Sequence, residues 1–305
     1  MNSLTATVIV PTRNRPDFAD HCLRLIFSQL EKSQLANRVS VMITDDSDNS
    51  KTQELVESKY PKVLYQHGPK NGPGANRNSA ARMATSDWLI FIDDDCSPQS
   101  NWLESFVSML DQHSPSSPIC WLGATIRDGE LPSLKYEAPH NPEGTNGITA
   151  NFAISRQNYL AVGQIDERYR VAFEDIEFFA RCQAWGLEVS AAPEVIVLHP
   201  IRRIPSPRKL SQRWHGKVVF ALDQGASPGR VLWNLPLHAA LVIRSRYRGA
   251  PWNVDNLYSV FLFGGELLFT IFQTPAWVLR ESRTSRSRFW SNHLKFHPAV
   301  PKYGF

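Results

Sequence analysis

The chain has 305 residues, of which 42% are hydrophobic and 20% are charged, and its formal net charge is +4. This composition is sufficient for one large core with a smaller additional region. The cysteines at positions 22, 96, 120 and 182 are widely spaced and contain no CxxC pair. The spacing therefore predicts neither a zinc site nor a disulfide framework and favours a reducing compartment. Because the N-terminus lacks a basic region followed by an apolar stretch and a small-residue cleavage site, we expect no secretory signal.

Short apolar runs alternate with helical patterns over the first hundred residues. The patterns predict strands at 6–10, 39–44 and 62–65, with helices at 18–30 and 52–58. Alternation of this kind predicts an α/β fold with a doubly wound, mostly parallel, Rossmann-like sheet. Ligands of such sheets bind beyond the carboxyl ends of the strands. We therefore expect the loops 11–15, 45–48 and 93–95 to converge on one crevice.

The run LIFIDDD at residues 89–95 is the most informative segment of the chain. In an extended strand, Asp93 and Asp95 would share one side and Asp94 would point away, unless the chain bends. Carboxylates about 4 Å apart near a protein surface repel each other by roughly 4 kcal/mol, and a divalent cation converts this repulsion into binding. Oxygen ligands of this kind suit Mg²⁺, Mn²⁺ or Ca²⁺. The alternative is an acidic loop that holds no cation.

Four segments, in chain order, resemble the N-terminal half of a family 2 glycosyltransferase with the GT-A fold: VIVPTRNRP, ITDDSD, KNGPGANRNSAAR and LIFIDDDCSPQSNWL. Later segments at 151–156, 163–167 and 173–181 resemble the acceptor half of the same family, including its acidic pair. The resemblance covers about residues 5–200. It implies a catalytic domain over residues 1–200, with a nucleotide-binding half at about 1–100 and an acceptor half at about 101–200. It also implies an inverting enzyme that uses a nucleotide sugar, by expectation a UDP-sugar, and Mn²⁺ or Mg²⁺.

The resemblance further implies roles for nucleotide-binding residues. Pro11 and Arg13 occupy the loop that cradles the nucleotide ring, Asp45 would accept the imide N–H of uracil, and Arg77 lies in the segment that closes over the nucleotide. Family members often have an aromatic residue where Arg13 stands, so a guanidinium would stack on the base here. The chemistry of these residues alone also allows purely structural roles. Asp45 could form an Asx turn or a helix N-cap, and 70–82 could be a surface turn before an amphipathic helix.

The resemblance places Asp94 and Asp95 on a DXD-like element. It implies direct metal contact for Asp95, contact with the ribose hydroxyls for Asp94, and an outer metal-binding role for Asp93. His199 would complete the metal site through a ring nitrogen. An inverting transfer needs a general base near the acceptor hydroxyl, and Asp175 matches the base of the family. The alternatives are a carboxylate favoured by the helix dipole for Asp175 and an ordinary polar strand end for His199.

Positive charge is concentrated in the C-terminal region. Residues 200–305 contain sixteen Lys and Arg against four acidic residues, about +12, so residues 1–199 carry about −8. Apolar patches at 231–243 and 257–279 are flanked by arginines, a pattern typical of interfacial helices on anionic membranes. Glu266, Gly264-Gly265 and Pro275 argue against simple insertion of the second patch.

We therefore expect a helical, basic and apolar region at 201–305. It would attach a cytoplasmic enzyme peripherally to the inner face of the cell membrane. One alternative is a helical subdomain packed on the catalytic core. A nucleic-acid surface is the other, and we expect no nucleic-acid partner because no recognition motif accompanies the charge.

The resemblance implies a transferase that moves a sugar from a nucleotide donor to a glycan or lipid-linked acceptor in polysaccharide biosynthesis. One alternative is a nucleotidyltransferase with a similar sheet, which would attack phosphorus and release pyrophosphate. Another is an inactive scaffold at the membrane surface. The loop 127–147 is expected to face the acceptor, but its sequence contains no pattern that identifies the sugar, the acceptor or the linkage.

Overall fold

The computed structural model describes residues 4–33, 35–248 and 253–283. The chain divides into two compact units. Among the described residues, unit 1 comprises those up to Asp128 together with Pro139–Glu167 and Asp175–Pro200. Unit 2 comprises Gly129–Ala138, Arg168–Glu174 and the residues from Ile201 onward. Two short segments of the first 200 residues therefore belong to the unit that contains the C-terminal helices.

Unit 1 is built on an eight-stranded sheet, and unit 2 contains a separate two-stranded sheet. The strands in chain order are β1 Ala6–Thr12, β2 Val39–Asp45, β3 Leu64–His67, β4 Trp88–Ile92, β5 Ser97–Pro98, β6 Ile119–Arg127, β7 Tyr136–Glu137, β8 Asn151–Ser155, β9 Glu188–His199 and β10 Arg202–Arg203. The large sheet has the order β3-β2-β1-β4-β8-β6-β9-β5, and β7 pairs with β10. In the large sheet, β8 and β5 run antiparallel to their neighbours, and the other pairings are parallel. The prediction of a mostly parallel α/β sheet is confirmed.

Helices cover both faces of this sheet. Those of unit 1 are α1 Pro16–Ser33, α2 Lys51–Lys59, α3 Pro73–Met83, α4 Trp102–Leu110, α5 Arg156–Ala161 and α6 Glu174–Ala184, with a short 3₁₀ turn at Leu35–Asn37. Successive residues of β1 alternate between two cores. Val8 and Val10 pack in one cluster with apolar residues of α1 and α4, whereas Ile9 packs in another with residues of α3 and α6. The sheet is therefore doubly wound, as predicted.

A buried asparagine holds the sheet together where its register shifts between Gly123 and Ala124. The amide nitrogen of Asn151 donates to the carbonyl oxygens of Ala124, at 2.9 Å, and Val195, at 2.8 Å. Its amide oxygen accepts from the indole N–H of Trp102 at 2.8 Å. A Cβ atom at Gly123 would lie 2.2 Å from the Asn151 amide nitrogen, so this position requires glycine. These bonds fix β9 ahead of the strand end that carries His199.

Unit 2 consists mainly of helices. They are α7 Pro207–Ser211, α8 Arg213–Asp223, α9 Pro228–Arg246 and α10 Val254–Glu281. Helix α10 packs against the other three, and its Trp277 joins a core that includes Trp214 and Leu235. Helix α10 continues through Gly264-Gly265 and Pro275. From the sequence, we expected these residues to oppose insertion of the second apolar patch into a membrane. A Cβ atom at Gly265 would lie 2.9 Å from the side chain of Pro207, so glycine allows α7 to approach α10 closely.

The buried face of α10 is unusually polar. Its buried polar residues are Asn256, Ser259, Glu266, Thr270, Thr274 and Glu281. Glu266 accepts a hydrogen bond of 2.8 Å from the Trp214 indole and forms an ion pair of 2.8 Å with Arg246. The carboxylate near the centre of this apolar helix is therefore paired inside unit 2.

The exposed face of α10 is apolar. Its exposed large side chains include Leu257, Tyr258, Val260, Phe261, Leu268, Phe269, Ile271, Phe272 and Leu279. Phe261 is 75% exposed and Phe272 is 77% exposed. A helix on the surface of a water-soluble protein normally has the opposite arrangement. Helix α10 is also long and apolar enough to cross a membrane, but length and composition alone are weak evidence for a membrane span.

Candidate functional site

The loops that follow β1, β2 and β4 meet at the carboxyl end of the sheet. The Thr12 hydroxyl donates a 2.6 Å hydrogen bond to Asp94, and the backbone N–H of Asn14 donates a 2.6 Å bond to the Ser47 hydroxyl. Asn14 has a φ of 55°, a left-handed conformation that asparagine tolerates better than most residues. The predicted convergence of the three loops is confirmed by these contacts.

Arg15 binds two of the three adjacent carboxylates. Its guanidinium lies 2.5 Å from Asp94 Oδ1 and 2.8 Å from Asp95 Oδ2, while Asp93 pairs with Arg77. Strand β4 ends at Ile92, and the chain then bends. The bend is the stated exception to strand alternation, so Asp94 and Asp95, and not Asp93 and Asp95, share a partner. Arg15 is not among the predicted site residues, although its position two residues after Arg13 in the same loop was a usable signal.

The neighbouring carboxylates differ in their affinity for protons. Burial raises the pKa of Asp94 to about 7, even though Arg15 opposes the shift. Burial also acts to raise the pKa of Asp93, but the guanidinium of Arg77 outweighs it, and the pKa of Asp93 is lowered. The two shifts differ because Asp93 gains both the charge and a hydrogen bond of Arg77, whereas at Asp94 the charges of Asp95 and Asp93 add to the effect of burial.

Asp95 and His199 each place one atom that could bind a metal ion inside the site, and these two atoms face each other. Asp95 Oδ1 lies 3.5 Å from His199 Nε2, and the two residues are 7% and 2% exposed. His199 Nδ1 donates to the carbonyl oxygen of Pro200 at 2.9 Å, so in the neutral ring Nε2 carries the lone pair. Asp95 Oδ1 accepts no hydrogen bond from any residue in the described part of the chain. A buried carboxylate oxygen without a donor, opposite an imidazole lone pair, fits a divalent cation.

Cys96 is a third candidate ligand that the sequence did not suggest. Its sulfur lies within 4.8 Å of the donor atoms of Asp95 and His199. Burial, together with the three carboxylates, raises the pKa of the Cys96 thiol well above its usual value. The group is therefore held as a thiol, and sulfur is a soft ligand that Mg²⁺ and Mn²⁺ do not favour. The oxygen and nitrogen donors of Asp95 and His199 suit those ions better.

Asp45 uses both carboxylate oxygens within the fold. Oδ1 accepts from the Ser47 backbone N–H at 2.8 Å, and Oδ2 accepts from the Tyr65 hydroxyl at 2.9 Å. The first bond forms an Asx turn, which is the alternative role that the sequence left open. Burial, followed by the hydrogen bond to Asp45, raises the pKa of Tyr65. The adjacent Asp46 accepts from the backbone N–H of Lys70 at 2.9 Å, which ties the loop before α3 to the end of β2.

Pro11 and Arg13 lie where the loop leaves β1. Pro11 is buried within the strand, opposite Thr44 of β2 in the sheet register. The Arg13 side chain is 59% exposed and makes an ion pair of 3.6 Å with Asp48. An exposed guanidinium beside a buried proline can lie against a planar ring.

Arg77 connects the acidic run with Asp175. Arg77 is 3% exposed on α3 and pairs with Asp93, whereas Asp175 lies half-buried in the first turn of α6. Burial raises the pKa of Asp175, Arg77 acts to lower it, and Asp93 acts to raise it further. Asp175 also accepts from the Ile176 backbone N–H at 2.8 Å. The structure therefore brings Asp175 into the electrostatic field of the predicted metal-binding segment.

Residues 7–171 match the family model described as Glycosyl transferase family 2. The chain belongs to this family. The match begins in β1 and ends before Asp175, so it includes the three loops and the acidic run but not the candidate base.

Relatives of this family-2 chain include proteins named for polysaccharide biosynthesis. The O-antigen biosynthesis protein RfbC of Myxococcus xanthus is 25% identical over 63% of the chain and 17% of the relative. The succinoglycan biosynthesis protein ExoM of Rhizobium meliloti is 23% identical over 76% of the chain and 79% of the relative. The pre-mycofactocin glycosyltransferase of Mycobacterium tuberculosis is 25% identical over 64% of the chain and 43% of the relative. The chain thus spans less than half the length of two of these three proteins.

Solved structures with the GT-A fold resemble the chain over most of its length. TarS 1-349 of S. aureus in complex with UDP has a TM-score of 0.55 and 15% identity, covering 95% of this chain and 92% of the other. The mannosyltransferase PcManGT from Pyrobaculum calidifontis, in complex with GDP-Man and Mn²⁺, has a TM-score of 0.52 and 14% identity, covering 91% and 86%. At such identities the likeness establishes the fold.

The raised pKa of Asp94 predicts how the stability of the metal-free protein depends on pH. Because the folded pKa is about 7 and the unfolded value is about 3.9, the folded state holds the proton more tightly. Stability from this group is therefore present at low pH and is lost as pH rises from about 4 to about 7. We expect Asp94→Asn to flatten this part of the profile.

Urea denaturation in EDTA at pH 4.5 to 8 measures this dependence. Asp17→Asn, an exposed carboxylate in the first turn of α1, is the control and should leave the profile unchanged. Parallel profiles for wild type and Asp94→Asn would contradict the prediction.

Proposed function

We propose that this chain is an inverting, metal-dependent glycosyltransferase that moves a sugar from a nucleotide donor, a UDP-sugar, to a glycan or lipid-linked acceptor. The observation that carries the proposal is the buried pair of Asp95 Oδ1 and His199 Nε2, 3.5 Å apart, in a chain of glycosyl transferase family 2. Membership of the family supports sugar transfer, and the donor pair supports a divalent metal. The relatives named for O-antigen and succinoglycan biosynthesis support a glycan product.

The acidic run would bind the diphosphate end of the donor. Asp95 and His199 would hold the cation, with Asp93 as an outer carboxylate. When bound there, a divalent cation supplies positive charge that stabilises the diphosphate leaving group. Asp94 would accept hydrogen bonds from the ribose hydroxyls, for which its ionised form is the better acceptor. Arg15 already neutralises part of this charge and keeps the carboxylates close together before ligands bind.

The loops after β1 and β2 would contact the base. Pro11 would lie against the ring and the exposed Arg13 guanidinium would stack on it. Asp45 would accept the imide N–H of uracil in place of its hydrogen bond from Tyr65. Arg77, buried and paired with Asp93, would lie in the segment that closes over the nucleotide and would hold the Asp93 carboxylate beside the proposed metal ligands.

Asp175 would act as the general base. Its carboxylate would accept the proton of the acceptor hydroxyl as the oxygen forms a bond to the anomeric carbon. The bond to the nucleotide diphosphate breaks on the opposite face, and the configuration is therefore inverted. Burial raises the pKa of Asp175, which makes the carboxylate a stronger proton acceptor than one in water.

The first prediction of the proposal concerns the metal. Asp95→Asn replaces a charged ligand by a neutral one, so we expect Mn²⁺-dependent binding of UDP to weaken by roughly tenfold or more. Asp48→Asn changes an exposed carboxylate of a neighbouring loop and should have a smaller effect. Calorimetry with UDP in the presence of Mn²⁺ or EDTA measures both variants. Equal affinity of wild type and Asp95→Asn would remove Asp95 from the metal site.

The second prediction concerns the base. Asp175→Asn should retain binding of the donor but reduce the rate of sugar transfer by roughly 10²-fold or more, the usual scale for loss of a general base. Asp17→Asn is the control, because it also changes a carboxylate in the first turn of a helix. Product analysis by mass spectrometry measures transfer. Turnover of Asp175→Asn near the wild-type rate would rule out this role.

The surface of unit 2 supports a proposal about the location of the enzyme. The exposed apolar residues of α10 are accompanied on α9 by Leu232, Trp233, Leu237 and Leu241. Exposed arginines at 244 and 248 lie beside the end of α9. We propose that these faces lie on the inner leaflet of the cell membrane, where apolar side chains enter the lipid boundary and arginines meet anionic head groups.

The third prediction tests this attachment. The full chain should sediment with anionic vesicles, and high salt should weaken the binding without abolishing it, because burial of apolar area contributes about 25 cal/mol per Å² independently of charge. Phe261→Ser/Phe272→Ser should reduce sedimentation strongly, whereas Phe261→Leu/Phe272→Leu should retain it. Absence of binding at both low and high salt would favour a soluble helical subdomain. Resistance to alkaline carbonate extraction would instead indicate that α10 spans the bilayer.

A further inference from the structure

Unit 2 contains a cavity of about 590 Å³ that the proposed transfer reaction does not use. Residues that line it come from three parts of the unit: the segment Arg168–Glu174, helix α8 and the C-terminal half of α10. The volume lies within the usual range of small-molecule sites.

Three arginines give this cavity an excess of positive charge. Arg168, Arg170 and Arg280 line it, with Glu281 as the acidic residue among the lining side chains. Arg168 pairs at 2.5 Å with Asp223, which is 1% exposed. Arg280 pairs with Glu281 at 2.7 Å. Arg170 is exposed and makes no ion pair within the ranges that the structure describes.

His215 and Glu281 hold the arginine side of the cavity in place. Glu281 Oε1 lies 3.0 Å from His215 Nε2 and 2.7 Å from Arg280 Nε. A second nitrogen of Arg280 lies 2.7 Å from the same His215 nitrogen. The Glu281 carboxylate therefore contacts both His215 and Arg280 and holds the Arg280 guanidinium in position. Because the other arginines outnumber this one acidic residue, the cavity keeps a net positive charge. A guanidinium held in this way is prepared for an anion, because less side-chain freedom is lost on binding.

The remaining wall includes an apolar part. Trp277 packs edge-to-face against His215, with ring centroids 5.8 Å apart, and Val171 is 50% exposed. Trp277 belongs to α10, the helix whose outer face is apolar. The cavity therefore combines anion-binding groups with apolar surface.

We propose that this cavity binds the phosphate group of an amphiphile, with Arg168, Arg170 and Arg280 contacting the phosphate and with Trp277 and Val171 contacting the apolar chain. Guanidinium groups match phosphate oxygens in geometry and charge. Assignment of the amphiphile as the acceptor of the sugar rests on the proposed function, whereas binding of the phosphate does not.

The test is calorimetry of the full chain with three probes: hexyl phosphate, inorganic phosphate and hexyl glucoside. We expect saturable binding of hexyl phosphate, weaker binding of inorganic phosphate and no saturable binding of hexyl glucoside. Arg170→Gln/Arg280→Gln should weaken the binding of hexyl phosphate roughly tenfold or more, because it removes charge-assisted hydrogen bonds. Arg203→Gln/Arg208→Gln removes the same charge from exposed positions of unit 2 outside the cavity and should leave this binding unchanged.

Each other outcome overturns part of the proposal. Equal loss in both double variants, or no saturable binding of hexyl phosphate, would exclude an anion site in this cavity. Equal binding of inorganic phosphate and hexyl phosphate would exclude the apolar contact, and equal binding of hexyl glucoside would exclude recognition of the phosphate. Titration of UDP with Mn²⁺ on the same samples separates this result from the proposed transfer. Retained UDP binding with no hexyl phosphate binding would overturn the cavity proposal alone.

Discussion

The contact of Arg15 with Asp94 and Asp95 is the interaction on which the rest of the site depends. Three consecutive carboxylates at the end of a buried strand repel one another, and burial adds a desolvation cost. Arg15 reaches two of them from the loop after β1, and Arg77 reaches the third from α3. Charge compensation therefore comes from two different elements, and it can form only when the sheet and its helices are assembled.

This compensation also divides the site into two parts. On the Arg15 side, Asp95 retains an oxygen that faces His199, and this is where positive charge can still be added. On the Arg77 side, the guanidinium interacts with both Asp93 and Asp175. A change in charge at the proposed metal site would therefore alter the electrostatic environment of the candidate base through Asp93 and Arg77. The proposed donor site and the candidate base thus share one electrostatic network.

The local pattern of the sequence was sufficient for most of the fold. Strands β1 and β2 and helix α1 are recognisable because their apolar spacing depends on neighbouring residues alone. Spacing alone could not decide whether strand alternation reaches Asp93 to Asp95, because that depends on where the strand ends, and β4 ends at Ile92. The position of Arg15 in the predicted loop 11–15 marked it as a candidate, but its contacts with Asp94 and Asp95 arise from tertiary structure and do not follow from spacing. The Asx turn of Asp45 was foreseen as an alternative, but only the Tyr65 contact shows that both oxygens are engaged.

Helix α10 has a consequence for how this protein can vary. Its inner positions are held by specific partners, such as Glu266 with Trp214 and Arg246, so each tolerates few replacements. Its outer positions, such as Phe261 and Phe272, meet no such geometric requirement, and under the proposed contact with lipid they need only remain apolar. Neutral drift should therefore exchange Leu, Ile and Phe freely along the outside while the polar inside stays constant. In this helix, buried positions should still change more slowly than exposed ones, as in other proteins. Here, however, the slowly changing residues are polar and the freely changing residues are hydrophobic.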